Sequence, residues 1–199
     1  MIIIGLCGSS GSGKGYICQL LESRGIKWID TDKVYREMTL CKTECTDALA
    51  DMFGTKILNS DGSLNRIELS KLVFSGKNAE ENRKSLNKIA HSFILRETEG
   101  LIDTYKKEGA KAVLVDAPLL FESGFDKICD TTICVIAPIE TKLERIMKRD
   151  NLSYDNALAR LKSQLSDDEL RARCDYEIDN SGNKDINAQL ENILSALNL

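Results

Sequence analysis

The stretch Gly8-Ser-Ser-Gly-Ser-Gly13-Lys14 carries the strongest chemical signal in this chain. One glycine, four residues, then Gly-Lys is the spacing of a phosphate-binding loop. The glycines let the backbone turn so that successive N–H groups point at an anion, and the lysine adds a point charge for the outer phosphates. A Ser or Thr normally follows the lysine and offers its hydroxyl to a magnesium ion. Here that position is Gly15. The change removes a metal ligand and leaves the cradle, because magnesium usually keeps several waters and can hold one more. Ser10 and Ser12 are the nearest hydroxyls left to substitute. A glycine- and serine-rich turn that binds nothing is the bland alternative, and the strand and helix that flank the stretch argue against it.

Phosphoryl transfer asks the protein to align groups and neutralise charge, and the acceptor alcohol needs a carboxylate within hydrogen-bond reach. Asp30 and Asp32 follow a short apolar run at 26–29, and either suits that task; a helix cap is the ordinary alternative for Asp32. Asp116 ends a second apolar run at 112–115, where a carboxylate can hold magnesium through water. Arg145 and Arg149 are spaced i, i+4 and share a helix face, with Arg160 further on. Such charges usually line a solvated face, but an acidic chain that binds polyphosphate must gather arginines somewhere. Trp28, Phe53, Phe74 and Phe93 sit on apolar stretches and read as core rather than as a stacking platform for a base.

These residues need elements to hold them. A buried strand is predicted from residue 2 to 7, and the helix after Lys14 shows Ile17, Leu20 and Leu21 at helical spacing, with Gly25 as its stop. Further strands are predicted at 26–29, 112–115, 131–137 and 176–178. Helices are predicted at 34–40, 47–53, 67–74, 82–107, from Pro138 to about 149, at 154–165 and at 186–197. Strands alternating with helices imply an α/β fold with a parallel sheet covered on both faces.

The chain has 199 residues, 42% hydrophobic and 29% charged, which suits one soluble domain with a full core. Its net charge of −4 argues against a general partner of nucleic acid or of membrane surfaces. No run is long enough to span a bilayer, and Ile2-Ile-Ile4 lacks a basic leader, so the expected location is cytoplasmic. Seven scattered cysteines do not suggest a disulfide framework. Cys41 and Cys45 are expected on one side of a helix, far from the single His91, so a zinc site is a weak reading beside small buried hydrophobes.

Read end to end, the sequence resembles a known family, the dephospho-coenzyme A kinases. GLCGSSGSGKG opens the likeness, and WIDTDKVYREM supplies the Asp-x-Asp that members carry after the second strand. FGTKILNSDGSLNRIELSKLVF is similar to their Phe-Gly, Asp-Gly turn and following Arg. LNKIAHSFI resembles a Leu-Asn-x-Ile-x-His-Pro stretch, with Ser92 where Pro is usual. VLVDAPLLFESG is close to their Pro-Leu-Leu-Phe-Glu signature. ERIMKRDNLSYDNALARLKSQ and DYEIDNSGN resemble the lid helices and closing loop. The phosphate loop alone names only a superfamily of P-loop kinases; PLLFE with the Asp-x-Asp and the closing Asp-Asn-x-Gly is narrower.

The resemblance implies a P-loop NTPase fold, with a five-stranded parallel sheet in the order 2-3-1-4-5. It implies a core of 1–32, 110–138 and 174–199, a helical acceptor-binding insertion at about 33–109 and a lid at about 139–173. It implies that ATP, with Mg2+, phosphorylates the ribose 3′-hydroxyl of dephospho-coenzyme A. Asp32 and Lys14 would be catalytic, and Gly11, Ser12, Gly13, Lys14, Gly15, Tyr16, Arg145, Arg149 and Asn180 would bind ATP. Arg66, His91, Leu120 and Glu122 would meet the acceptor, and Asp116 the metal. The expected partners are those two small molecules, with no nucleic acid and no membrane, and the chain would be a monomer or weak homo-oligomer. The rivals are another small-molecule or nucleotide kinase of this fold, and a nucleotide-binding module disabled at Gly15. Lys14, Asp32 and the lid arginines argue against the module.

Overall fold

The computed structural model describes residues 1–75 and 78–199. Five strands form one sheet: β1 Ile2–Cys7, β2 Lys27–Asp30, β3 Ala112–Asp116, β4 Thr131–Ile136 and β5 Tyr176–Asp179. Their order is β2-β3-β1-β4-β5, as the resemblance implied. The described pairings of β1 with β3 and β4, and of β4 with β5, are parallel. Leu6 lies opposite Asp116, Cys7 opposite Cys134, and Ile136 opposite Asp179. The register therefore brings the carboxyl ends of β1, β3, β4 and β5 together, which is where ligands bind in open parallel sheets.

The chain divides into two compact units, 1–29 with 104–199, and 30–103. In the first, β3 and β4 are buried along their whole length, which is why they read as unbroken apolar runs. Ile4, Leu6, Leu114, Ile133 and Ile178 from the strands pack with Ile17 and Leu21 of α1 (Lys14–Glu22) and with Leu190 of α9 (Ile186–Ala196). Each such side chain contributes about 1.5–3 kcal/mol by leaving water. Trp28 packs against this cluster. The stretch between β4 and β5 holds α6 Ile139–Asp150, α7 Tyr154–Lys162 and α8 Asp167–Arg173. Leu143, Ile146 and Ala157 give α6 and α7 a small core of their own.

The second unit holds α2 Thr31–Met38, α3 Glu44–Phe53, α4 Arg66–Phe74 and the first part of α5 Ala79–Lys107. Cys45, Leu49, Ile57, Leu64, Leu69 and Val73 form its core, with Phe53 and Phe93 packed against them. Local caps set its helix starts. The Asp30 carboxylate accepts from Lys33 N, Thr43 and Thr46 form a capping box, and Asn65 accepts from Glu68 N. At Ser92 the hydroxyl donates back to Ile89 O, and α5 continues through the position where a proline would remove a helix hydrogen bond.

Three expectations need correction. The helix predicted at 154–165 ends at Lys162, and a further helix, α8, follows. Ser166 and Glu169 cap α8 reciprocally, a four-residue signal that a longer helical pattern obscured. Cys41 lies outside any helix and is exposed, while Cys45 is buried in α3, so they share no helix face. Phe74 is exposed rather than core. Among the described residues, no helix is long and apolar enough to cross a membrane.

Candidate active site

Residues 8–13 link β1 to α1, and Gly13, at φ 94°, is the helix N-cap. Ser12 N donates to Ser9 O, closing the turn. Among the described residues, the N–H groups of Gly11, Gly13, Lys14 and Gly15 find no acceptor. Donors left open at a helix N-terminus, where the helix dipole is positive, suit an anion. Tyr16 follows in the first turn and is half-exposed. The Lys14 ammonium pairs with the Asp116 carboxylate at the end of β3. Asp116 is 5% exposed, and its other oxygen accepts from Cys18 Sγ at 3.4 Å. The loop's cation is thus held in place by a buried counter-charge.

The other side of the loop is held by side chains from distant sequence. Arg145 Nη1 donates to Gly11 O at 3.0 Å and to Ser12 O at 3.3 Å, and its Nη2 donates to Asn180 O at 3.4 Å. Asn180 Nδ2 donates to Ser12 O at 2.7 Å. Lys142, 7% exposed, donates to Asp167 Oδ1 at 2.8 Å and to Ser9 Oγ at 3.2 Å. Ser10 N donates to Gln164 Oε1 at 2.9 Å. A Cβ on Gly11 would stand 2.5 Å from Lys142 O, so α6 lies directly on the loop.

Arg149 points away from that contact: its Nε and Nη2 donate to Asp150 at 2.8 and 2.9 Å, and Arg160 joins the same carboxylate. The Arg149 bonds first, and Arg160 after them, hold the Asp150 carboxyl down at about 2. Among the described residues Ser12 Oγ is buried without a hydrogen-bond partner, and Gly15 has no side-chain oxygen to offer. Glu122 is exposed beside a shallow cleft that it shares with Gly8, Ser9, Pro118 and Gln164. Leu120 is fully buried, close to Gly5; it anchors the 118–122 loop from below and presents no surface to a ligand.

In the unit 30–103, Asp32 is exposed in the first turn of α2, directly after β2. Asp30 caps that helix, so the capping role does not fall to Asp32. Arg66 Nη2 donates to Thr39 Oγ1 at 2.7 Å, and its guanidinium lies over the Tyr35 ring at 5.6 Å. Burial pushes the Tyr35 hydroxyl up to about 12. His91 is half-buried on α5. Lys142, Gln164 and Asp167 were missed in the sequence, where nothing distinguishes them from the surface residues of polar helices.

The family model described as CoaE, dephospho-CoA kinase, matches residues 2–185. A dephospho-CoA kinase of Bacillus anthracis is 37% identical over 199 residues, covering 100% of this chain and 98% of its own. Among solved structures, TT1252 from Thermus thermophilus is 31% identical at a TM-score of 0.79, covering 98% of this chain and 97% of its own. A dephospho-CoA kinase from Campylobacter jejuni is 28% identical at a TM-score of 0.67, covering 98% and 95%.

Proposed function

The chain belongs to the dephospho-CoA kinase family, and on that premise we propose how its residues divide the work. The enzyme transfers the terminal phosphoryl group of ATP to the ribose 3′-hydroxyl of dephospho-coenzyme A, giving coenzyme A and ADP, the last step of coenzyme A synthesis. The observation that carries the ATP site is the set of four open N–H donors beside Lys14 at the end of β1. They receive the phosphates, and Lys14 neutralises charge that spreads over the transferring oxygens.

Asp32 accepts the proton of the 3′-hydroxyl as the new P–O bond forms and the bond to the ADP oxygen breaks. Its support is its exposure, its place behind the carboxyl end of β2, and the transfer of the cap to Asp30. Arg66, His91 and Glu122 are the residues offered to the acceptor. The segment 139–173 acts as the lid that excludes water, the competing acceptor. Arg145, which already touches the loop, and Arg149, which exchanges Asp150 for phosphate oxygens, are the arginines offered to ATP.

A magnesium ion would be held mainly by substrate phosphates and water, and Asp116, the buried carboxylate beside Lys14, would orient that water. The ion would supply charge neutralisation at the phosphate oxygens. We take the cytoplasm as the compartment, where seven thiols stay reduced. ADP release by the purified chain with ATP and Mg2+ tests the reading. Release should require dephospho-coenzyme A and match coenzyme A formation one to one; release with a different alcohol or nucleotide instead would discard the acceptor.

A further inference from the structure

Residues 163–166, between α7 and α8, and Asp167 at the start of α8 are half-buried or exposed, and a cavity of about 620 Å3 borders them on one side. Apolar packing therefore does little to fix this segment. What holds it to the phosphate loop is polar: Gln164 Oε1 takes Ser10 N–H at 2.9 Å, and Asp167 Oδ1 takes Ser9 Oγ at 3.4 Å and Lys142 Nζ at 2.8 Å. Arg145 and Asn180 take the carbonyls of Gly11 and Ser12. Each residue of the loop from 9 to 12 is thus bound on its outer side. The donor at position 10 is turned toward the lid, whereas those at 11, 13, 14 and 15 have no acceptor among the described residues.

We infer that Gln164 is a positioning residue for the nucleotide: by accepting the Ser10 N–H it sets the peptide that leads into the phosphate-binding donors and ties the lid segment to it. Gln164 carries no charge and is not asked to touch a phosphate. Its effect passes through the Ser10 peptide, so nucleotide affinity should depend on the acceptor oxygen at this position. The inference rests on the ATP-site reading above.

The test compares the parent with Gln164→Met, which keeps length and loses the acceptor, and Gln164→Glu, which keeps an acceptor oxygen. Amide hydrogen exchange at Ser10, equilibrium ADP binding, and KM for both substrates are measured on each. In Gln164→Met, Ser10 should exchange about 3- to 10-fold faster, and ADP affinity and KM for ATP should worsen by a similar factor. In Gln164→Met kcat should stay within about twofold, and Gln164→Glu should restore Ser10 protection and ADP affinity. Unchanged ADP affinity in Gln164→Met would overturn the inference, as would a loss of kcat and both affinities in proportion to a lower Tm. A parent that binds no ADP would overturn the ATP-site reading itself, a result that needs no variant to be seen.

Discussion

At position 15 an added Cβ would meet nothing within 4 Å among the described residues beyond its own helix, so Gly15→Ser should fold normally and gain a few tenths of a kcal/mol in helix propensity. The added hydroxyl should tighten apparent magnesium affinity by about 2- to 5-fold, roughly the worth of one weak ligand replacing a water. A magnesium titration of activity checks this, and an unchanged midpoint would show that position 15 is irrelevant to the metal. Lys14 raises a different issue, because removing it strands the buried Asp116 charge. Lys14→Ala should therefore lose both phosphoryl transfer and about 1–3 kcal/mol of stability. Lys14→Met with Asp116→Asn should regain the stability and not the activity, as urea unfolding beside a turnover assay would show. Asp32→Asn should cost about 100-fold or more in kcat with ADP affinity unchanged. Intact turnover in that variant would remove Asp32 from the mechanism.

At the scale of elements, the contact between the phosphate loop and α6 decides how much change either tolerates. Gly11 has φ 78° and no room for a Cβ beside Lys142 O, so Gly11→Ala should be penalised twice, by backbone strain and by a clash. We expect a loss of about 2–4 kcal/mol in stability or an equivalent loss of ADP affinity, read by calorimetry. The α6–α7 corner depends on charge. The Arg149 bonds bring the Asp150 carboxyl from the usual 3.8 to about 2, with Arg160 adding to the effect. A depressed carboxylate stabilises the fold above its unfolded value, and that contribution disappears as pH falls toward the folded one. Asp150→Asn should therefore be less stable than the parent at pH 7, and the two unfolding curves should converge between about pH 4 and about pH 2.

Over the whole molecule, the seven cysteines are distributed very unevenly with respect to solvent. Cys7, Cys18, Cys45 and Cys134 are buried, Cys174 is half-buried with its Sγ 3.5 Å from Cys7 Sγ, and Cys129 is pushed up to about 12 by burial with the nearby Asp126 and Asp130. Cys41 is exposed. Since the thiolate is the reactive form, a thiol reagent at about pH 8 should label Cys41 in a fast phase and the rest only on unfolding. Cys41→Ser should abolish that phase without touching activity. The two units carry separate cores, one built on the sheet and the other on Leu49, Ile57 and Leu69. Hydrogen exchange should accordingly show two protected regions rather than one.

What the sequence determined by itself was whatever neighbouring residues decide. The phosphate loop and the strand–helix alternation depend on residues within a few positions of one another, where propensity and spacing act directly. The likeness to a kinase family added the strand order, which periodicity cannot supply. Only the tertiary structure decided that Lys14 meets Asp116, 102 residues away, and that Gln164 meets Ser10 across 154. Hydrophobic period states which face of an element is buried but not which other element covers it. The side chains of Lys142, Arg145, Gln164 and Asn180 come to one loop because the sheet order places β4 beside β1 and β5 beside β4. No spacing along the chain encodes that adjacency.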